Sequence, residues 1–161
     1  MSALDPNYAL FLQLFIAVLF GMVLGIERLL AGRTAGPRTY GLVSLGSCLL
    51  TMLSLRIVPL YTTSSLAALD PILIVSTIVS GVGFLGAGLI VFHQSKLSGL
   101  TTAAGIWVAA IVGIAVGYHF YLLSFFATFL TLFVFSAMWR LEHIIKKKFS
   151  FLEQWGTEEE N

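Results

Sequence analysis

The chain has 161 residues, of which 58% are hydrophobic and only 11% charged; nine basic and eight acidic side chains give a formal net charge of +1. Soluble domains carry about 25% charged residues, so this chain is too poor in charge to coat a water-facing surface. Composition excludes disorder, a collagen-like fibre, a disulfide scaffold and a nucleic-acid-binding module, and leaves an all-α integral membrane protein.

The N-terminus has no basic region and no small-residue cleavage site, so the first apolar segment is expected to stay in the mature protein. A helix needs about 20 apolar residues to cross the hydrocarbon layer. Spans are expected at about 8–28, 39–60, 71–92, 100–117 and 120–139. The last two come from one apolar run, Leu100 to Trp139, which is too long for a single straight span. It is split at Gly117-Tyr118-His119-Phe120-Tyr121, its only polar and aromatic punctuation. Residues 1–139 thus form a five-span membrane domain. Residues 140–155 place Leu141, Ile144, Ile145, Phe149, Leu152 and Trp155 close to one face beside Lys146, Lys147 and Lys148. That pattern reads as a cytoplasmic interfacial helix on anionic lipid head groups, or as a stop-transfer flank. Residues 156–161 read as an acidic, disordered tail.

Charge tests the span count. Five spans put Arg28, Arg33, Arg38, Lys96, Arg140, Lys146, Lys147 and Lys148 on one side and Arg56 alone on the other. The positive-inside rule then places the N-terminus outside and the C-terminus in the cytoplasm.

Small residues mark the expected contacts between helices. Gly21 and Gly25 lie on the first span. Gly81, Gly83, Gly86, Ala87 and Gly88 strip several faces of the third, and Thr101, Gly105, Ala109, Gly113 and Gly117 recur every four residues along the fourth. Lipid gives helices no hydrophobic reason to associate, so close approach through such residues supplies the attraction. Spans three and four are therefore expected at the centre, with one stripe facing either a neighbouring span or a second protomer. Gly81-Val82-Gly83-Phe84-Leu85-Gly86 also fits a dinucleotide fingerprint, but it lacks the preceding strand and the later acidic residue.

Ionisable groups are few. Glu27, at the cytoplasmic end of span one, needs a partner. Adjacent Arg28 points to another face, while Arg33 and Arg38 can fold back across the Gly32–Pro37 loop. Glu27 is either a cation or proton site at the inner mouth, or half of an ion pair that fixes the loop. Arg56 snorkels or pairs with Asp70 or Asp5. Asp70-Pro71 reads as a helix start, with Asp70 capping it or meeting an external divalent ion such as Mg²⁺. Ser98-Gly99 reads as a similar start for span four. Ser76, Thr77, Ser80, Thr101 and Thr102 are the hydroxyls that would line a polar path. Cys48 reads as a small buried side chain, and the three histidines have no metal spacing. No phosphate loop, nucleophile–base pair or paired catalytic carboxylates are present, so no enzyme and no resident cofactor are expected, with Mg²⁺ left open.

Several segments together resemble the MgtC/SapB family. They are Gly25-Ile26-Glu27-Arg28, Arg33-Thr34-Ala35-Gly36-Pro37-Arg38-Thr39, Asp70-Pro71, Val79 through Gly88, and Gly99-Leu100-Thr101-Thr102-Ala103-Ala104-Gly105-Ile106-Trp107. The resemblance covers about residues 8–140, the membrane part; the C-terminal ACT-like domain of MgtC-type members is not included. It implies a multi-pass protein of the bacterial cytoplasmic membrane, linked to low-magnesium growth, acid adaptation or survival inside host cells. It also implies contact with partner membrane proteins such as ATP synthase. Thr34 and Pro37 stand where the family usually has Pro and Leu, and Leu73 and Thr77 where it often has Arg and Gln. Two functions follow as expectations: a non-enzymatic protein acting through helix–helix contacts, or a small transporter or channel for magnesium or another cation, as an oligomer.

Overall fold

A computed structural model describes residues 6–61, 71–93 and 96–158, with side chains described over 7–57, 73–90, 98–138 and at Arg140. Five helices follow one another: α1 (Pro6–Leu30), α2 (Pro37–Tyr61), α3 (Pro71–Leu89), α4 (Leu100–Gly117) and α5 (Tyr121–Glu158). The architecture is the expected polytopic bundle. Four helices are long and apolar enough to cross a membrane, and α3 contributes a shorter apolar stretch, Leu73–Leu89. Large apolar side chains point outward, among them Phe125, Phe129 and Phe133 on α5. That is the surface a bilayer solvates and water does not.

Sequence chemistry sets the ends. Pro37 and Pro71 open α2 and α3, where a missing amide hydrogen costs nothing. α1 closes in a Schellman turn, with Gly32 N–H donating to Leu29 O and Arg33 N–H to Arg28 O. Gly32 supplies the left-handed residue at φ 68°. α4 closes the same way, with His119 N–H on Val116 O and Phe120 N–H on Ala115 O. Here His119 itself takes φ 66°. Its Nδ1 lies 3.0 Å from the Tyr121 hydroxyl. The hairpin therefore turns at the polar, aromatic punctuation that split the long apolar run.

Three features depart from the sequence expectation. Between α3 and α4 the chain forms a short antiparallel hairpin, β1 (Val91–His93) on β2 (Lys96–Ser98). The pair uses the β-branched, aromatic end of the third apolar run, which had been assigned to the span. Second, α5 continues unbroken through residues 140–155 and on to Glu158. Residues 140–155 are thus not a separate helix, and Gly156 to Glu158 continue α5 instead of fraying. No proline interrupts the segment, and Gly156 is its first glycine.

The third departure is at the start of α4. Its N-cap is Gly99, in a left-handed conformation (φ 90°, ψ −9°), with no side-chain cap. A β-carbon here would collide with the Leu89 carbonyl oxygen. Gly99→Ala should lower stability by about 1–2 kcal/mol from the left-handed backbone alone, and by more from the collision. Thermal melting in detergent checks this; an unchanged midpoint would refute the tight α3–α4 connection.

The centre of the bundle is α4 with α1 and α2. α1 runs antiparallel to α2, so that Ser44 Oγ donates to Ala17 O at 2.7 Å. A β-carbon on Gly21 would lie 2.5 Å from Tyr40 O, and one on Gly25 would overlap Pro37. α4 runs parallel to α2. Gly105 meets the Tyr40 ring, Gly113 meets the Ser44 carbonyl, and Gly117 meets Thr51 and Cys48 O. Ala109, on the same stripe, is fully buried. The stripe is used inside one chain.

α3 does not share the centre. Among the described residues, only Gly86 of its expected packing glycines touches a neighbour, with Ala103 3.6 Å from its would-be β-carbon; Gly81, Gly83 and Gly88 have no described atom within 4 Å. Gly81 and Gly83 lie off the buried side, which Ile78 and Val82 take, and Gly88 borders a cavity beside the first turn of α4.

Candidate functional site

One end of the bundle gathers the C-terminus of α1, the N-termini of α2 and α4, and the Phe135–Arg140 turn of α5. Arg28, Arg33, Arg38 and Arg140 lie there, while Arg56 is exposed near the other end of α2. This is the sorting that the basic residues suggested.

The partner of Glu27 differs from the expected one. Glu27 Oε2 accepts from Arg28 Nε at 2.5 Å. Arg28 is only 3% exposed, and its guanidinium carbon sits 3.7 Å from the centre of the Phe135 ring. Adjacent residues diverge by about 100° on a helix. The long arginine side chain nevertheless curls back, because α5 closes over it and Glu27 is the carboxylate in reach. Arg33 and Arg38 are exposed, and neither has an ion-pair partner among the described residues. Asp70, read from the sequence as a helix cap or an external cation ligand, lies outside the described residues.

A chain of contacts ties this pair to the helix interface. Phe135 lies against Gly105, with its Cζ 2.7 Å from where a β-carbon would stand. Tyr40 fills the other side of the same notch, and its hydroxyl donates to Thr102 O at 3.1 Å. Glu27 also opens on a cavity of about 270 Å³ lined by Leu30, Ala31, Ser136 and Arg140.

The five hydroxyls do not form one path. Ser76, Thr77 and Ser80 are exposed on α3, and the first two donate to Leu73 O at 2.8 Å. Thr101 and Thr102 line a separate cavity beside Arg33.

Sequence reasoning missed two polar elements. Gln13 is 1% exposed and donates from Nε2 to Val116 O at 2.6 Å and Gly117 O at 2.9 Å. Both neighbours are acceptors, which fixes the amide orientation. Gln13 thereby caps the carbonyl end of α4 from a different helix, and its Oε1 is buried without a partner among the described residues. The second element is a buried stripe on α2: Ser44, Ser47, Thr51 and Ser54. Its three- and four-residue spacing is one helical face, a signal present in the sequence.

Comparison with known proteins settles the lineage. The family model described as "MgtC family" matches residues 14–144. The chain belongs to the MgtC family. Among its relatives, SrpB of Synechococcus elongatus is 40% identical over 141 residues, covering 82% of this chain and 76% of SrpB. SapB of Bacillus subtilis is 40% identical over 119 residues, covering 73% of this chain and 50% of SapB. YhiD of Escherichia coli K12, which carries the provisional name of a magnesium transporter, is 34% identical over 137 residues, covering 85% of this chain and 64% of YhiD. The chain thus spans half to two thirds of the length of SapB and YhiD. No solved structure matches it. MgtC-family membership and the apolar helices make it a multi-pass protein of the bacterial inner membrane.

Proposed function

We propose that this MgtC-family protein acts without catalysis, by docking the outer face of α3 against a partner membrane protein. The observation that carries the reading is the contrast between two outward faces. α5 presents Phe125, Phe129 and Phe133, bulky side chains suited to lipid. α3 presents Ser76, Ser80, Gly81, Gly83, Ala87 and Gly88 around Phe84, which is 81% exposed. Small residues gain nothing against acyl chains but allow another helix to approach closely. Shallow space already lies over Ser76, Thr77, Ser80, Gly81 and Phe84. By the positive-inside rule the arginine-bearing end faces the cytoplasm.

A photo-crosslinking residue at Phe84, compared with one at Phe129, tests this in native membranes. Protein adducts at position 84 and only lipid adducts at 129 are expected. ATP synthase, named by the family resemblance, is the first partner to seek by mass. Lipid adducts alone at both positions would refute the reading. An adduct of twice the chain's mass would assign the face to a second copy instead.

The name of YhiD supports a second reading, magnesium transport. It is tested by Mg²⁺ flux into proteoliposomes containing the folded protein, beside Glu27→Gln and empty vesicles. Protein-dependent flux that vanishes with the substitution would favour transport, with Glu27 at the inner mouth.

A further inference from the structure

The cavity that Glu27 borders lies in the groove between α1 and α5, at the arginine-bearing end. α5 turns back from α4 and so runs parallel to α1, which sets the Glu27–Ala31 turn beside the Ser136–Arg140 turn. The apolar stretches of the two helices, Asn7–Leu30 and Tyr121–Met138, both end at this level. The cavity therefore sits where hydrocarbon gives way to lipid head groups. Its volume of about 270 Å³ falls below the roughly 300–1,000 Å³ of small-molecule sites, so it takes a small group.

Its polar walls are one carboxylate, one hydroxyl and one guanidinium, from Glu27, Ser136 and Arg140. Arg28 Nε occupies Glu27 Oε2, whereas Oε1 receives no hydrogen bond among the described residues. The Arg28 pair thus fixes the carboxylate on the groove wall and leaves one oxygen for another donor. Arg140, on the opposite wall, is exposed and has no ion-pair partner among the described residues.

This pairing of signs selects against simple ions. A lone cation on Glu27 would meet the Arg28 guanidinium beside it and Arg140 across the cavity. A lone anion on Arg140 would meet the Glu27 carboxylate. A small group that carries both charges satisfies both walls. Apolar surface leads away from the cavity toward the membrane centre. Leu19 and Val23 precede Glu27 at four-residue spacing on α1, and Phe129 and Phe133 lead to Ser136 on α5; all four are exposed. The occupant is therefore a zwitterion with apolar chains attached.

We propose that the α1–α5 groove binds phosphatidylethanolamine, with the ammonium on Glu27 Oε1, the phosphate on Arg140 and Ser136, and the acyl chains along the two apolar stripes. A primary ammonium donates hydrogen bonds to a carboxylate, which the trimethylammonium of phosphatidylcholine has no N–H to do. The site lies off α3 and does not depend on what docks there.

The test uses the full chain in neutral detergent, titrated with phosphatidylethanolamine, phosphatidylcholine and phosphatidylglycerol of identical acyl chains, and separately with MgCl₂. Binding is read by native mass spectrometry and by the shift in melting temperature. Phosphatidylethanolamine should bind saturably and at least about tenfold more tightly than either other lipid, the loss expected for one charge-assisted hydrogen bond. Arg140→Gln and Glu27→Gln should each weaken it by a similar factor. Arg140→Gln changes an exposed residue, so its lipid-free melting temperature should match the parent. Equal binding of phosphatidylcholine would remove the ammonium contact and overturn the proposal. Tighter binding of phosphatidylglycerol would make the groove an anionic-lipid site, and a Glu27-dependent shift with MgCl₂ but none with phosphatidylethanolamine would make it a cation site; either result overturns it as well. So does an Arg140→Gln protein that binds phosphatidylethanolamine as tightly as the parent. If Glu27→Gln does not fold, Arg140→Gln and the lipid comparison decide.

Discussion

Gly113→Leu is expected to abolish the folded bundle. The β-carbon of any residue at 113 would overlap the Ser44 carbonyl oxygen, with Ser44 C and Cα each 2.9 Å away. These are backbone atoms of α2, so no rotamer change relieves the clash. Ser44 is also anchored on its other side, through its hydroxyl to Ala17 O. Overpacking by a methylene or two costs about 1–3 kcal/mol where side chains can yield. Here three helices would have to separate, and an isobutyl group exceeds what the α2–α4 interface can absorb. Size-exclusion chromatography should show aggregate, and near-native melting should be lost. Gly81→Ala is the matched control: no described atom lies within 4 Å of that position, so its melting should be within about 0.5 kcal/mol of the parent. A Gly113→Leu protein that melts normally would remove α4 from the centre of the fold.

Loss of Arg28 should have the next largest effect. Its guanidinium is sealed between α1 and α5, while Glu27 retains 18% side-chain exposure. Deleting one member of a buried ion pair costs about 3–5 kcal/mol when the other is left uncompensated. The partial exposure of Glu27 lets water reach the stranded carboxylate, so Arg28→Ala should fall toward the lower end of that range. Stacking on Phe135 adds about 0.5–2 kcal/mol, which an ammonium group does not reproduce in the same geometry. Arg28→Lys should therefore be clearly destabilised, although it keeps the charge. Glu27→Gln leaves the stack intact and should be milder than Arg28→Ala. A double-mutant cycle of Arg28→Ala with Phe135→Leu separates the stacking energy; coupling indistinguishable from zero would show that the ring contact contributes nothing.

The helices were legible because a bilayer imposes length and apolarity on every span. The start of α4 at Leu100 and its end at Gly117 fall where composition changes. Packing was legible only where small residues repeat in register: Gly105, Ala109, Gly113 and Gly117 behave as their spacing suggests. The α3 glycines mislead for the same reason that makes them visible. A small residue permits contact without saying whether a neighbour is present, and on α3 the buried face belongs to Ile78 and Val82. The Glu27 partner was missed because helix geometry describes backbone directions, whereas Arg28 is long enough to turn back under α5. Gln13 gave a signal, a single amide in an apolar run, but its target lies 103 residues away in the chain. No local pattern specifies such a partner.

The interlock of α2 with α4 has a mechanical consequence. A notch cut to the size of a hydrogen atom admits a single register. Sliding α4 by one residue would drive Val112 or Ile114 into the Ser44 carbonyl, and Gly21 and Gly25 key α1 to α2 in the same fashion. These three helices therefore move as one rigid plate, without shear between them. α3 has no such keyway: of its glycines only Gly86 meets α4, at ordinary contact distance from Ala103. Displacement of α3 relative to that plate would therefore meet less steric resistance than sliding α4 along α2.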